Sequence, residues 1–394
     1  MRKIKVLLLL HDLSPTGAPK LVVSAFERFR DAVELRTITY HGGPLRDRVR
    51  QLGPVQTLVS YQWPGGMPAP RDLLLFLGHR SLSVGKAQVW SREIARWKPD
   101  MVYVNSVAGL LAAKRLRLPP VSVLLHVHEL DSFLYPFSRD APELLLGLPD
   151  RYVAVSQAVA DALTGRYGVD GGKVVVVPAF VEEIPLPPAR PAASDGRLVV
   201  GGAGVLSWVK GPQLWLLMAA ALKKRLGADR VRFVWVGMVE NEEGWQFREM
   251  ARKLGLTADV EMAPFTDRPL DYYAAFDVFA LTSWEETASL AALENMLLQT
   301  PVVCFAGAGG PPEFVGPAGI IIGEFSPPDM AEAVAALAGD PALRAALGEA
   351  ARRRVLSRFT AEKQAPRLLE EIRRLALSGP ADSAGAGPRT SPGL

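Results

Sequence analysis

The stretch LVVGGAGVLSWVKGPQLWLLMAAALKKRL, residues 198–226, decides the fold. It opens with a short apolar run that ends at Gly202, passes through a glycine-rich turn, and continues as a helical pattern from Pro212 to Leu226. Glycine in such a turn lets the backbone adopt conformations that other residues avoid. A strand, a glycine turn and a helix in this order predict the opening of a doubly wound α/β domain.

The same alternation of short apolar runs and helical patterns extends in both directions. In the first half the predicted strands are Ile4 to Leu10, Leu35 to Thr39, Met101 to Val104, Val121 to Val127, Tyr152 to Val155 and Val174 to Val177. In the second half they are Leu198 to Gly202, Val231 to Val236, Val278 to Leu281, Pro301 to Phe305 and Ile320 to Ile322. The predicted helices between them include Lys20 to Arg30, Gln157 to Tyr167, Pro212 to Leu226 and Leu290 to Leu298. Such runs are typical of parallel strands buried on both faces, which predicts two doubly wound α/β domains.

The length of 394 residues exceeds the usual size of one hydrophobic core and favours two domains. An N-terminal domain is predicted over 1–183, a linker rich in Pro and Ala over 184–196, and a C-terminal domain over 197–357. A final helix falls within 358–377. The tail 378–394 has almost nothing to bury, and we expect it to be disordered.

The composition excludes several classes of protein. Cys304 is the only cysteine, which excludes a disulfide framework and fits a reducing, cytoplasmic compartment. The apolar run from Val6 to Leu10 is too short for a signal peptide and fits a first buried strand. Because the chain has no run of about 20 apolar residues, a soluble or peripheral protein is expected.

Charge is divided unevenly between the two halves. Residues 1–183 contain 23 Lys and Arg against 17 Asp and Glu, whereas residues 184–394 contain 22 against 24. A basic first half would suit an anionic acceptor or peripheral contact with the inner face of a membrane, and ordinary solvated helix faces are the plain alternative. Aromatic residues are not interleaved with the basic ones, so nucleic acid is not expected as a partner.

Two strand ends in the first half carry candidate binding residues. Gly17 lies between the first strand and a helix, where free backbone amides can hold a phosphate or a sugar hydroxyl; an ordinary strand-to-helix turn is the alternative. His128 follows the strand Val121 to Val127 and precedes Glu129, a position suited to hydrogen-bonding a sugar hydroxyl or a reacting group. A satisfied structural histidine is the alternative there, and His126 is expected to be a buried neighbour.

The glycine turn of the second half contains a candidate diphosphate site. Gly202 and Gly204 allow close backbone approach, and Lys210 supplies a positive charge near the next helix start. A dinucleotide-binding fingerprint is the rival interpretation. It fails because no third glycine falls at the required place before Lys210 and Gly211.

The most informative stretch is SWEETASLAALENM, residues 283–296. Glu286 follows a predicted strand, and Glu294 lies eight positions later in the helix that begins near Ser289. One carboxylate can reach a sugar and the other a ribose, while the amides of Ser289 and Leu290 at the helix start can face a diphosphate.

These motifs resemble glycosyltransferase family 4, a group of retaining enzymes with the GT-B fold, in which two Rossmann-like domains face each other across a cleft. The resemblance runs from about residue 4 to about residue 375. Its matching elements are the Glu-x7-Glu spacing of Glu286 and Glu294, the Gly-x-Gly…Lys-Gly loop of Gly202, Gly204, Lys210 and Gly211, the Thr-Gly-Ala-Pro turn at Gly17, the His-Glu strand end at His128, the stretch Asp271 to Phe279 and the stretch Gly309 to Phe314.

The resemblance implies a role for each matching residue in the C-terminal domain. Glu294 would bind the nucleotide ribose, Lys210 the diphosphate in the loop that Gly204 opens, and the amides of Ser289 and Leu290 the phosphate or sugar. Glu286 would hold hydroxyls of the donor sugar near the anomeric carbon.

For the N-terminal domain, on the acceptor side, the resemblance implies that His128 contacts the sugar and helps to organise the transition state. Gly17 would let the first loop approach donor and acceptor. The helix within 358–377 would cross back to this domain.

The implied reaction is metal-independent transfer of a hexose-type sugar from a nucleotide-diphosphate sugar, with retention, to a glycan, a lipid-linked acceptor or a small natural product. The donor is a co-substrate, and no cofactor is implied. The absence of an Asp-x-Asp element and of a Cys/His ligand cluster agrees with this. The high content of Ala, Arg, Pro and Gly suggests a bacterial source.

Two positions depart from the family pattern. Val205 stands where many members have an arginine that pairs with the lysine on the diphosphate, so another cation such as Arg268 would have to assist Lys210. Ser289 stands where a glycine is usual and would narrow the backbone approach. The valine at position 205 leaves a non-catalytic nucleotide-sugar-binding protein open as an alternative. A GT-B-type sugar epimerase or phosphorylase is a second alternative, because those folds also pair two such domains.

Overall fold

In the computed structural model, two parallel β-sheets organise the described residues, which are 2–58, 85–186 and 196–379. The described residues form two units. The N-terminal unit consists of those within 1–155, 159–177 and 365–379, and the C-terminal unit of those within 156–158 and 178–364. Most of the predicted linker and the tail from residue 380 lie outside the described residues.

The N-terminal unit contains a seven-stranded sheet in the order β3-β2-β1-β4-β5-β6-β7. Its strands are β1 Ile4–Leu10, β2 Val33–Thr39, β3 Val55–Thr57, β4 Met101–Asn105, β5 Ser122–Val127, β6 Arg151–Ala154 and β7 Val174–Val176. Its helices are α1 Gly17–Arg28, α2 Arg46–Arg50, α3 over 85–97, α4 Leu110–Arg115, α5 Asp131–Asp140, α6 Pro142–Gly147 and α7 Gln157–Gly165, whose first two residues are counted with the C-terminal unit.

The C-terminal unit contains a six-stranded sheet in the order β10-β9-β8-β11-β12-β13. Its strands are β8 Leu198–Ala203, β9 Val231–Met238, β10 Val260–Pro264, β11 Val278–Leu281, β12 Val302–Phe305 and β13 Ile320–Ile322. Its helices are α8 Pro212–Leu226, α9 Glu242–Lys253, α10 Leu270–Tyr273, α11 Leu290–Leu297, α12 Pro311–Val315, α13 Pro327–Gly339 and α14 Pro341–Arg358.

Both sheets start from the same strand order. Counted within its unit, each sheet has the order 3-2-1-4-5-6, and the N-terminal sheet adds a seventh strand beside the sixth. This is the order of a Rossmann fold, and it confirms the prediction of two doubly wound α/β domains. Every predicted strand is present. The third strand of each unit, β3 and β10, was not predicted, and both lie at a sheet edge.

Two glycines near the end of β8, just before the turn, are required by packing. A Cβ at position 202 would lie 2.5 Å from the indole nitrogen of Trp215, and a Cβ at position 201 would lie 2.0 Å from the ring of Phe276. Trp215 and Trp235 pack edge to face beneath this turn with ring centroids 5.4 Å apart. The strand thus lies close to α8 at Gly202, and close to the segment before β11 at Gly201, because it has no side chain at either position.

The last helix, α15 Ala361–Ser378, begins in the C-terminal unit and ends in the N-terminal unit. Within the N-terminal unit, Leu368 and Ile372 are buried. Glu371 accepts a 2.8 Å bond from the Arg151 guanidinium, and the two side chains are each only 13% exposed. The helix therefore completes the core of the N-terminal unit beside β6.

Candidate active site

The order of strands places a crevice in the C-terminal unit where connections leave in opposite directions, between β8 and β11. Ligands of open α/β sheets bind at the carboxyl ends of the strands at such a switch point. The loops that follow β8 and β11 carry Gly204, Lys210 and Glu286, so three of the predicted donor-site residues lie at this edge.

Lys210 and Glu286 form an ion pair at the switch point, with 2.5 Å between Nζ and Oε2. The Glu286 carboxylate is 8% exposed, and Ser283 Oγ donates to the same Oε2 at 3.4 Å. The backbone of Glu286 is also fixed, because its N–H donates to Ala308 at 2.7 Å and its carbonyl accepts from Gly310 at 2.8 Å. The strand-end loops after β11 and β12 thus hold this carboxylate in place.

Backbone conformation around Lys210 requires glycine at both ends of its loop. Gly204 has φ +142°, and a Cβ there would lie 3.4 Å from the aliphatic stem of Lys210. Gly211 has φ +61°, and a Cβ there would lie 2.0 Å from the carbonyl oxygen of Thr282. Both conformations are unfavourable for residues with a side chain. The glycines therefore let the Lys210 loop lie directly against the strand end of β11.

The start of α11 carries the other predicted donor residues. Ser289 is the N-cap, and its Oγ accepts from the Ala292 N–H at 3.2 Å. Leu290 is the first residue of the helix, and Glu294 lies one turn further with 7% exposure. Burial, and next the charge of Glu294, raise the pKa of the Tyr273 phenol well above its usual value. One short helix thus brings Ser289, Leu290 and Glu294 together.

The N-terminal unit holds His128 just after β5. Its Nε2 lies 2.9 Å from Asn105 Oδ1 at the end of β4, and its ring lies 4.1 Å, centroid to centroid, from that of His126. Burial lowers the pKa of His128 well below its usual value, and the nearby His126 and His11 lower it further. Burial lowers the pKa of His126 to about 3. Both imidazoles are therefore neutral at pH 7.

Glu129 joins the loops that follow β4 and β5. Its carboxylate accepts from the N–H of His128 at 2.9 Å, from the N–H of Val107 at 3.3 Å, and from the Ser106 hydroxyl. Burial raises the pKa of Glu129, and the hydrogen bonds from Ser106 and the two N–H groups oppose that rise. Ser106 has φ +75°, an uncommon conformation for a residue other than glycine. This local strain is held at a strand end, where functional residues concentrate.

Gly17 begins α1 beyond the end of β1. A Cβ at this position would have no atom within 4 Å, so packing within the described residues does not require glycine there. The preceding turn is fixed by the Ser14 hydroxyl, which lies 2.8 Å from Asp12 Oδ1 and 2.7 Å from Thr16 Oγ1. The turn before Gly17 is therefore ordered by its own side chains.

Arg268, the cation considered as a substitute for the arginine missing at Val205, lies beyond edge strand β10 and pairs with Asp271 at 2.9 Å. Among residues 2–58, 85–186 and 196–379, no group of three or more His, Cys, Asp or Glu side chains could hold a metal ion. None of the helices in those ranges is both long and apolar enough to cross a bilayer.

Asn105, Ser106 and Ser283 belong to the site but are not among its predicted residues. Asn105 and Ser106 follow the predicted strand Met101 to Val104, so two polar residues at a strand end were the available signal. Ser283 begins the motif that contains Glu286, but its contact with that carboxylate depends on the turn after β11.

Two family profiles match consecutive parts of the chain. The family described as Glycosyltransferase Family 4 matches residues 16–183, and the family described as Glycosyl transferases group 1 matches residues 188–354.

Curated proteins similar to this chain include two that carry the same name. A D-inositol 3-phosphate glycosyltransferase of Kineococcus radiotolerans is 35% identical over 267 residues, covering 61% of this chain and 60% of that protein. The protein of the same name from Rhodococcus jostii is 30% identical over 264 residues, covering 62% and 57%. The chain thus spans about three fifths of the length of these relatives.

Solved structures with the same fold cover nearly the whole chain. Alr3699/HepE of Anabaena, in complex with UDP and glucose, has a TM-score of 0.75 at 21% identity and covers 94% of this chain and 100% of its own. Sucrose-phosphate synthase of Thermosynechococcus elongatus has a TM-score of 0.74 at 18% identity and covers 96% and 100%. The architecture is therefore GT-B, and the chain belongs to glycosyltransferase family 4, with a C-terminal half of the group 1 glycosyl transferases.

Proposed function

We propose that this protein transfers a sugar from a nucleotide-diphosphate sugar to a hydroxyl group of an acceptor, with retention of anomeric configuration and without a metal ion. The observation that carries the proposal is the Lys210–Glu286 pair at the switch point, 2.5 Å apart, between glycine turns that bring the loop against β11. Structures of HepE with UDP and with UDP-glucose support a donor of this class.

Lys210 is the residue that we propose for the diphosphate. Its side chain is 30% exposed, so a phosphate can reach it, while the side chain of its partner Glu286 is buried. A hydrogen bond between two charged groups is stronger than one between neutral groups. A diphosphate also carries more negative charge than a carboxylate, so it can compete for the Lys210 ammonium group. When the donor binds, it competes with Glu286 for Nζ, and the carboxylate becomes available to accept hydrogen bonds from sugar hydroxyls.

The start of α11 is the second part of the proposed donor site. Its first backbone N–H groups have no partner within the helix, and the helix dipole makes this end favourable for an anion. We assign the amides of Ser289 and Leu290 to the phosphate or the sugar. Glu294, one turn further, would accept hydrogen bonds from the two ribose hydroxyls, a role that suits a carboxylate held at 7% exposure.

The proposed chemistry follows from the negative charge that develops on the diphosphate as it leaves the donor sugar. The bond between the anomeric carbon and the diphosphate oxygen breaks, and the acceptor oxygen forms its new bond on the same face. The acceptor proton passes to the departing phosphate oxygen. Lys210 and the helix amides stabilise the negative leaving group, which is the largest contribution expected in such a site. We assign to His128, neutral at pH 7, a hydrogen bond with the sugar.

The acceptor is the least constrained part of the proposal. The curated relatives are named for D-inositol 3-phosphate, so a cyclitol phosphate is the first acceptor to test, followed by lipid-linked sugars, glycans and small natural products. A cytoplasmic reaction fits a chain whose single cysteine, Cys304, is buried with its pKa raised to about 12 by that burial.

The first experiment is calorimetric titration of the full chain with UDP-, GDP- and dTDP-sugars, followed by turnover of any donor that binds. Glu294→Ala should lose the binding, and the matched control Glu332→Ala, on an exposed part of α13, should retain it. If no nucleotide sugar binds to the wild type, the proposed function is wrong. Binding without turnover of any acceptor or of water would favour a non-catalytic nucleotide-sugar-binding protein.

A further inference from the structure

Two polar pairs connect β4 to β5 in the N-terminal unit. Tyr103 and His126 form the first pair, with 2.6 Å between the hydroxyl and Nδ1. Asn105 and His128 form the second, with 2.9 Å between Oδ1 and Nε2. Tyr103 and Asn105 are separated by two positions, as are His126 and His128, so the two pairs lie on the same face of the sheet. The first pair is buried within the sheet, and the second lies at its carboxyl edge.

We propose that Asn105 is a positioning residue that holds the His128 ring with its proton on Nε2 and its lone pair on Nδ1. The proposal rests on the function proposed above, because the tautomer decides whether His128 donates or accepts the hydrogen bond with the sugar. Asn105 is fully buried and is not expected to touch the substrate itself.

The tautomer follows from the chemistry of the two groups. An amide oxygen only accepts, so Nε2 must donate to it, and a neutral ring then has no proton on Nδ1. His128 is neutral because burial and the neighbouring His126 and His11 lower its pKa. The opposite arrangement would turn the Asn105 amide, so that its NH₂ group donates to Nε2 and Nδ1 carries the proton. The two arrangements therefore make opposite predictions for the ring proton.

The ring has little freedom to leave this position. Its backbone N–H is fixed by Glu129 at 2.9 Å, and its face lies against His126 with centroids 4.1 Å apart. The backbone next to Asn105 is fixed as well, since the N–H of Ser106 donates to the carbonyl of His126 at 2.8 Å. With Nδ1 as an acceptor, His128 receives a hydrogen bond from a sugar hydroxyl instead of donating one.

The direct test is a long-range ¹H–¹⁵N spectrum of the full chain labelled with [¹⁵N]histidine. The chain has five histidines, and His128→Gln assigns the signal of interest by removing it. The wild type should show His128 protonated on Nε2. Asn105→Leu should give a mixture of tautomers, whereas Tyr103→Phe, which cuts only the first pair, should leave the His128 tautomer unchanged. A wild-type proton on Nδ1, or an unchanged tautomer in Asn105→Leu, would overturn the proposal.

Kinetics provides a second readout. Asn105→Leu should lower kcat by about 10- to 100-fold with the donor KM within about threefold, because ground-state binding stays largely intact. Asn105→Asp is isosteric and keeps an acceptor for Nε2–H, but its charge should raise the pKa of His128. The acid limb of its kcat–pH profile should therefore move upward by about 1 to 3 pH units.

The groups already acting on the His128 pKa are His126 and His11, while Glu129 binds its backbone N–H; all three stay in both variants. Unchanged kcat in Asn105→Leu, or an unmoved acid limb in Asn105→Asp, would contradict the positioning role. A wild type with the expected tautomer but no transferase activity would instead count against the proposed function.

Discussion

The two units share one strand order but carry different chemistry at the carboxyl edges of their sheets. In the C-terminal unit a charged pair, Lys210 and Glu286, occupies the switch point. In the N-terminal unit the corresponding edge carries His128, which is kept neutral by burial, and its partner Asn105. All five histidines of the chain precede residue 129. The difference teaches that one topology can be used once to place charge and once to place neutral hydrogen-bonding groups.

The largest expected effect is a loss of donor affinity when the charged pair of the C-terminal unit is broken. Lys210→Met removes the cation and leaves the Glu286 carboxylate buried without its partner. We expect donor affinity measured by calorimetry to fall about 100-fold, which corresponds to about 2.7 kcal/mol. Lys224→Met, on the exposed face of α8, is the control and should bind normally. If the donor bound equally well to Lys210→Met, the proposal that the charge of Lys210 holds the donor would be wrong.

His128→Gln tests the other side of the comparison. The neutral imidazole is assigned a contact that matters during transfer, so we expect kcat to fall by about 30- to 100-fold, which corresponds to about 2 to 2.7 kcal/mol of transition-state stabilisation. The donor dissociation constant should stay within about threefold. Steady-state kinetics and calorimetry on the same preparation give both numbers. If affinity fell as much as in Lys210→Met, the division of labour between the units would be wrong.

Acid should weaken the N-terminal unit selectively. The pKa of His126 is about 3 in the folded protein and 6.5 for a free imidazole, so its stabilising contribution is complete above pH 6.5 and is lost as pH falls toward 3. The loss is about 1.4 kcal/mol for each pH unit below 6.5. Hydrogen exchange at pH 7.5 and 5.5 should show amides of β4 and β5 losing protection, while those of β8 and β11 change less. Equal loss in both sheets would contradict this origin.

The smallest effect concerns Ser289, where the family pattern has a glycine. Ser289→Ala removes the oxygen that caps α11 and should destabilise the C-terminal unit by about 1 kcal/mol. Ser289→Gly should cost only a few tenths of a kcal/mol, because glycine is tolerated at this position. Thermal unfolding measures both. An equal loss in the two variants would show that the cap bond to Ala292 contributes little.

Sequence predicted the interior strands and failed at two edges. Interior strands such as β1, from Val6 onward, and β11 are continuous apolar runs because both faces are covered, and this pattern is strong. Edge strand β3 has only three residues, Val55–Thr57, two of them polar, and β10 ends in Pro264. An edge strand pairs on one side only, so it tolerates polar residues and proline that a central strand excludes.

The candidate site was predictable to the level of single residues but not of pairs. Lys210 and Glu286 could each be found because each lies in a turn between a predicted strand and a predicted helix. Their contact joins positions separated by 76 residues, and it depends on β8 and β11 being neighbours. The contact between Asn105 and His128 likewise depends on the register that aligns β4 with β5, which no local pattern specifies.

The route of α15 has a consequence for biosynthesis. Leu368, Ile372 and Glu371 complete the N-terminal unit, yet they are translated after the whole of 178–364. At about 5 to 20 residues per second, a ribosome takes roughly 10 to 40 s to make that intervening segment. Throughout this interval the nascent N-terminal unit has emerged without its closing helix. The second unit to be synthesised is thus the first that can finish folding.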